Sequence, residues 1–314
     1  MKKIILWLCG LLLCGAAAGG GETVTESSGS PVLDRMRKCA VENNMTVYSI
    51  CEIKDGVSRT VDIVPSSNCH NCYSVAKVFV VTAIGILEDR GLLSTEEPVY
   101  PIFKDQFPEG FDPKWKEVKI SDLMRHRVGF EHGFLDIDCE NITEYGTDDF
   151  LSIVLARPLK YRPGEKAVYS DAAYYLLSRV VSAKSGKNLD DFLIEEVLAP
   201  MHFREYAFSK CPYGYPVGAT GLYITTSDMA KIGQLYLQKG VFDGKRILSE
   251  RFVDKALGTF ELLCVADGGY AKAGMLGQYL YLNPRDNRVI AIHSYNGALG
   301  RLMACVTGEE KNSP

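Results

Sequence analysis

The sequence predicts a mixed α/β fold of the α+β kind, with β-hairpins towards both ends of the chain and a helical middle. Three observations carry this. Two β-rich runs, Met45 to Ile53 and Val57 to Val64, flank Lys54-Asp55-Gly56, and Asp-Gly between such runs signals a hairpin. From Leu92 to Phe208 the chain is predominantly helical and punctuated by prolines such as Pro98, Pro113 and Pro163. The last third returns to strands at Gln278 to Leu282 and Val289 to Ser294, joined by Asn283-Pro284-Arg285-Asp286-Asn287 as in a hairpin. At 314 residues, 46% apolar and 24% charged, the chain can bury a core without help from disulfides.

The N-terminus reads as an address. Lys2 and Lys3 precede an apolar run from Ile4 to Leu13, followed by Ala16, Ala17, Ala18 and Gly19, which is the order of a secretory signal. The run falls short of the roughly 20 apolar residues that cross a bilayer. Residues 1–21 are therefore expected to be a signal peptide and the protein to be exported; an uncleaved N-terminal segment, the alternative, would be the one route to a membrane. Residues 22–30 are expected to be a flexible leader. Without the signal, 33 basic residues face 39 acidic ones. That acidic balance builds no basic surface, so no nucleic-acid partner is expected.

Eight cysteines remain beyond the signal, an even number that permits disulfides in an exported chain. Cys264, after Leu262 and Leu263, reads as a small core residue. Cys69-His70-Asn71-Cys72 allows a local disulfide, two unpaired thiols, or a redox or zinc half-site. A second ligand pair at comparable spacing is missing, so neither a metal nor a cofactor is expected.

Pro31 to Asn44 has helical spacing, with Val32, Leu33, Met36, Ala40 and Val41 on one face. Ser74 to Asp89 is apolar all round, the pattern of a helix buried on every side. Lys77 is out of place there. Burial disfavours its ammonium unless the charge is paired or used. Ser74 lies three residues earlier on the same face, where a lysine can help remove its hydroxyl proton. An N-cap serine with a snorkelling lysine would produce the same tetrapeptide. Further on, Arg162-Pro163-Gly164 makes a turn, and Tyr169-Ser170-Asp171 precedes the apolar Ala172 to Ala183, so Asp171 reads equally as a helix N-cap. Ser227 to Lys239 is an amphipathic helix, Asp243-Gly244 is a turn, and Lys272 by itself reads as a surface residue.

Together, Ser74-x-x-Lys77, Tyr169-Ser170-Asp171 and Lys272-Ala273-Gly274 fall in the order and rough spacing of three family motifs. The sequence thereby resembles the serine β-lactamases and penicillin-binding proteins, and within them the serine hydrolases related to class C β-lactamases. Ile120 to His126 is similar to the family's Leu-Leu-x-His segment, Pro163-Gly164 to its Pro-Gly turn, and Gly274 to Gln278 to the esterase and amide-hydrolase branch.

The resemblance implies a mainly antiparallel sheet flanked by helices, formed by residues 31–91 and 212–314, with residues 92–211 inserted as a helical domain. It implies a site at their junction, where Ser74 attacks an acyl carbon while Lys77 and Tyr169 take and return the proton. Asp171, Lys272, Ala273 and Gly274 would bind substrate, and the backbone N–H groups of Ser74 and Met275 would form the oxyanion hole. Two lysine ammoniums beside Tyr169 would lower its pKa. Two residues depart from the family: Asp171 stands where Asn is usual, and Ala273 where Thr or Ser is frequent. A carboxylate beside Lys77 would keep the lysine charged, and Ala273 lacks the hydroxyl that helps β-lactamases hold a substrate carboxylate. The expected function is an exported serine hydrolase forming an acyl-enzyme on a small-molecule or peptide-like ester or amide. The alternative is a catalytically impaired sensor or binding protein on the same scaffold.

Overall fold

The structure, a computed structural model, describes residues 27–145, 147 and 149–307. The expected signal peptide, with Cys9 and Cys14, and residues 22–26 of the expected leader lie outside the described residues. Residues 27–30 are hydrogen-bonded rather than free: Ser28 N donates to Asp34 at 3.0 Å, and the Ser30 hydroxyl caps the first helix by accepting from Leu33 N at 3.2 Å. That helix, α1 (Pro31–Glu42), starts with proline at its first position, where no amide donor is needed. Val32, Leu33, Met36 and Ala40 are buried as expected. Val41 is not; it is 61% exposed, because it is rotated about 100° from Ala40 and leaves the buried stripe.

The hairpin of β1 (Val47–Lys54) and β2 (Val57–Asp62) turns at Asp55 and Gly56, whose φ angles are 52° and 79°. Both central residues of a type I′ turn need positive φ, which explains Asp-Gly at this point. After β3 (His70–Asn71) comes α2 (Ala76–Asp89), with Ala76 to Leu87 buried without a break. Six of its residues, Val78, Val80, Val81, Thr82, Ile84 and Ile86, are β-branched and favour helix only weakly, so burial rather than intrinsic propensity makes this segment helical.

The middle of the chain contributes the short helices α3 (Tyr100–Phe103), α4 (Ile120–Met124), α5 (Phe150–Leu155) and α7 (Leu189–Leu193) and the long α6 (Asp171–Ser185). A small sheet of β3 with β4 (Tyr206–Phe208) and β5 (Leu222–Ile224) leads to α8 (Thr226–Leu237), capped by the Thr225 hydroxyl. Next come β6 (Val241–Phe242), β7 (Lys245–Arg246) and α9 (Glu250–Ala256). The chain then forms β8 (Leu263–Cys264), β9 (Tyr270–Ala273), β10 (Tyr279–Asn283), β11 (Arg288–Ser294) and α10 (Leu299–Thr307).

The main sheet runs in the order β2-β1-β11-β10-β9-β8, with antiparallel neighbours throughout. The pairing of β1 with β11, second and third in that order, brings distant parts of the chain together, with Cys51 opposite Ala291. Both faces are covered, which is why β1 and β11 are buried along most of their length. Ile50, Ile290 and Ile292 pack under α1 and α10, whereas Cys51, Val289 and Ala291 join the larger core that holds α2, α6 and α8. Among the described residues all eight cysteines are free thiols. Cys264 is exposed rather than a core residue, because β8 is the outermost strand of the main sheet. Cys72 is buried and Cys69 faces Glu205, both as free thiols, so no disulfide joins the Cys-x-x-Cys segment.

At Gly85 α2 comes close to Leu248 and to Phe252 of α9. A Cβ there would overlap the Phe252 ring and lie 2.7 Å from Leu248 Cδ1. Gly85→Ala is expected to lose about 1–2 kcal/mol despite the better helix propensity of alanine, read as a lower urea midpoint with unchanged slope.

Candidate active site

Ser74 lies on a 3-10 turn, Tyr73–Val75, that runs directly into α2. Tyr73 takes a φ of 46°, unusual for a side chain of this size, and its amide donates to Asn71 Oδ1 at 2.9 Å. The turn presents the hydroxyl outward while α2 anchors it in the core. Ser74 is therefore not the N-cap of the buried helix.

Lys77 lies one turn further on, its side chain 0% exposed. An ammonium has three N–H donors, and all three are used: Ser74 Oγ at 3.1 Å, Asp171 Oδ1 at 2.8 Å and the Ala219 carbonyl at 2.8 Å. Lys77 does not snorkel. Asp171 is not the cap of α6 either; Ser170 holds that place, and the Asp171 carboxylate turns to Lys77 instead.

The Tyr169 hydroxyl is 2.6 Å from Ser74 Oγ. The tyrosine is held from behind, because a Cβ on Gly133 would collide with its carbonyl and the His126 ring packs at 4.3 Å between centroids. Lys77 and Lys272 both approach its ring, at 4.8 Å and 5.2 Å from the centroid. These are the two ammoniums expected from the sequence. The expected lowering of the phenol's pKa is overturned: burial pushes Tyr169 up to about 12, and the carboxylates of Glu261 and Asp171 add to the rise against Lys272 and Ser74. Each lysine brings its own carboxylate, so little net positive charge reaches the phenol.

Lys272 is not a surface residue. Its ammonium pairs with Glu261, and the two side chains are 12% and 5% exposed. His126 Nε2 meets the other Glu261 oxygen at 3.0 Å, while Nδ1 of the same ring accepts from Ser170 N at 3.3 Å. His126 thus links the Tyr169-Ser170-Asp171 segment to β9 through Glu261. Burial opposes ionisation of Glu261, but the His126 hydrogen bond and the charge of Lys272 hold its carboxyl at about 2. Glu261 is the residue the sequence reading missed, although a lone carboxylate inside Phe260-Glu261-Leu262-Leu263 was a visible sign.

Lys272, Ala273 and Gly274 end β9 beside the nucleophile. A Cβ on Gly274 would lie 2.8 Å from the Cys72 carbonyl and 3.3 Å from Ser74 N, so only glycine lets the two backbones approach this closely. Met275 follows in the turn Met275–Gly277. Ala273 is exposed and offers the cleft no hydroxyl. On the opposite side, carboxylate oxygens of Asp136, Asp138 and Asp171 lie within 4.8 Å of one another. Burial and the neighbouring carboxylates raise the pKa of Asp138.

The family model described as Beta-lactamase matches residues 64–298. An N-acetylmuramyl-L-alanine amidase of Bacillus subtilis (strain 168) is 29% identical over 139 residues, which are 42% of this chain and 31% of that protein. The chain thus spans about a third of the length of that curated relative. A penicillin-binding protein homologue from Caulobacter crescentus superposes with a TM-score of 0.69 at 12% identity, covering 88% of this chain and 96% of that one. A family VIII carboxylesterase gives 0.67 at 14% identity, covering 89% and 98%. At these identities the likeness is one of fold.

Glu261 ionises about two pH units below the ordinary glutamate value of 4.5. Its charge therefore favours the folded state fully above pH 4.5, and that contribution disappears as pH falls towards 2. Thermal melts between pH 6 and pH 2 (roughly spanning that titration) are expected to show a steeper acid loss for the wild type than for Glu261→Gln.

Proposed function

The chain belongs to the beta-lactamase family, and from that we propose that it is an exported serine hydrolase forming an acyl-enzyme at Ser74 on an ester, amide or peptide-like substrate. The observation that carries this reading is the 2.6 Å contact between Ser74 Oγ and the Tyr169 hydroxyl, with Lys77 Nζ at 3.1 Å. Export rests on the N-terminal segment read from the sequence. Among the described residues no helix is long and apolar enough to cross a membrane.

In the proposed reaction Ser74 Oγ attacks the acyl carbon as its proton passes to the Tyr169 oxygen. Lys77, paired with Asp171, donates to Oγ and stabilises the negative charge that develops there. The backbone N–H groups of Ser74 and Met275 receive the oxyanion, each worth about 3 kcal/mol in such a role. The bond to the leaving group breaks, and Tyr169 returns the proton to that group. Water then attacks the acyl carbon as it gives a proton to Tyr169; the bond between the acyl carbon and Ser74 Oγ breaks, and Tyr169 returns that proton to Oγ, releasing the acid and free Ser74. Asp171, Lys272, Ala273 and Gly274 line the substrate.

With all three Lys77 donors committed and the phenol at about 12, Tyr169 is the acceptor only in its small phenolate fraction at neutral pH. The kcat/KM for an activated ester is expected to rise close to tenfold per pH unit through the mildly alkaline range. A flat profile would remove the phenolate base. Ser74→Ala is expected to abolish covalent labelling by a fluorophosphonate, and Tyr169→Phe to lower kcat/KM by about 10²–10⁴.

The same commitment of Lys77 favours a second reading, a sensor that acylates and deacylates slowly. Intact-mass spectra after mixing with a penicillin separate the two: an adduct that decays within minutes marks the hydrolase, one that persists for hours marks the sensor.

A further inference from the structure

Lys272 faces the ring of Tyr169, on the wall of the cleft where an incoming substrate meets the nucleophile. A free ammonium in that place would draw in a substrate carboxylate. This one is already engaged. Glu261 holds it in a pair whose two side chains are 12% and 5% exposed, and His126 fixes the second Glu261 oxygen at 3.0 Å. A substrate anion would have to break or crowd a buried ion pair, leaving Glu261 close to a second negative charge. Ala273 adds no hydroxyl to offset this. Asp171, the partner of Lys77, has Asp136 and Asp138 beside it, with carboxylate oxygens of the three within 4.8 Å of one another. The balance of charge around Ser74 is therefore negative.

We infer that Glu261 is a specificity-determining residue: it withdraws Lys272 from substrate recognition, so that the site accepts esters and amides carrying no carboxylate next to the scissile bond. The inference rests on the acyl-enzyme reading of Ser74. Glu261 itself touches neither the nucleophile nor the reacting atoms and acts through Lys272.

The test compares two phenylacetyl thioesters that differ in one group, the leaving thiol being thioglycolate in one and thioglycolamide in the other. The readout is the rate of Ser74 acylation, followed by intact mass and by thiol release, so that slow deacylation does not obscure it. In the wild type the amide-bearing thioester is expected to acylate Ser74 at least about tenfold faster. Equal rates, or a faster thioglycolate, overturn the inference while leaving the acyl-enzyme reading intact. No acylation by either, together with no fluorophosphonate labelling of Ser74, overturns both.

Glu261→Gln, checked by circular dichroism and a cooperative melt, frees Lys272 and is expected to bring the two rates within about threefold of each other. A folded variant that keeps the wild-type ratio assigns Glu261 a purely structural part and overturns the inference. The wild-type comparison decides the matter alone should the variant not fold.

Discussion

The buried charge of Lys77 is the constraint from which the rest of the site follows. An ammonium with no exposed side-chain surface is tolerable only if its donors find partners, and here Asp171, Ala219 and Ser74 supply all of them. Those partners come from the start of α6, the segment before β5 and the turn before α2. One cation thus fixes three distant pieces of chain and, in the same contact, the orientation of the nucleophile. Removing the Asp171 carboxylate would leave an uncompensated charge in the core, a loss of about 3–5 kcal/mol. Stability and site geometry are the same set of contacts.

A second pair repeats the pattern with a different outcome. Lys272 and Glu261 also neutralise each other behind Tyr169, and His126 ties that pair to the segment carrying the tyrosine. The phenol thus lies between two lysines whose fields are largely cancelled. Burial then dominates its ionisation, which is why a tyrosine flanked by two ammoniums is harder rather than easier to deprotonate.

Much of this was legible in the chain. The all-apolar pattern of α2 betrayed burial on every side, Asp55-Gly56 marked its turn by the backbone angles such a turn demands, and the three short motifs named the residues that converge on Ser74. What was not legible came from contacts made far along the sequence. Asp171 looked like a helix cap because its partner lies at position 77. Cys264 looked like core because its neighbours are leucines, but strand order put it on an edge. Glu261 belonged to no motif although it pairs with Lys272, and burial of the phenol, which no motif shows, set the sign of a pKa that the two lysines alone would have lowered.

The sheet is closed by its own extremities: β1, among the first strands formed, finds its inner neighbour only in β11, with Cys51 set against Ala291. Until that last strand emerges during synthesis, one edge of β1 is bare and the surface meant for α8 has only half its sheet. Such distant pairing makes for slow folding, and it keeps the growing polypeptide loose for the whole of its translation.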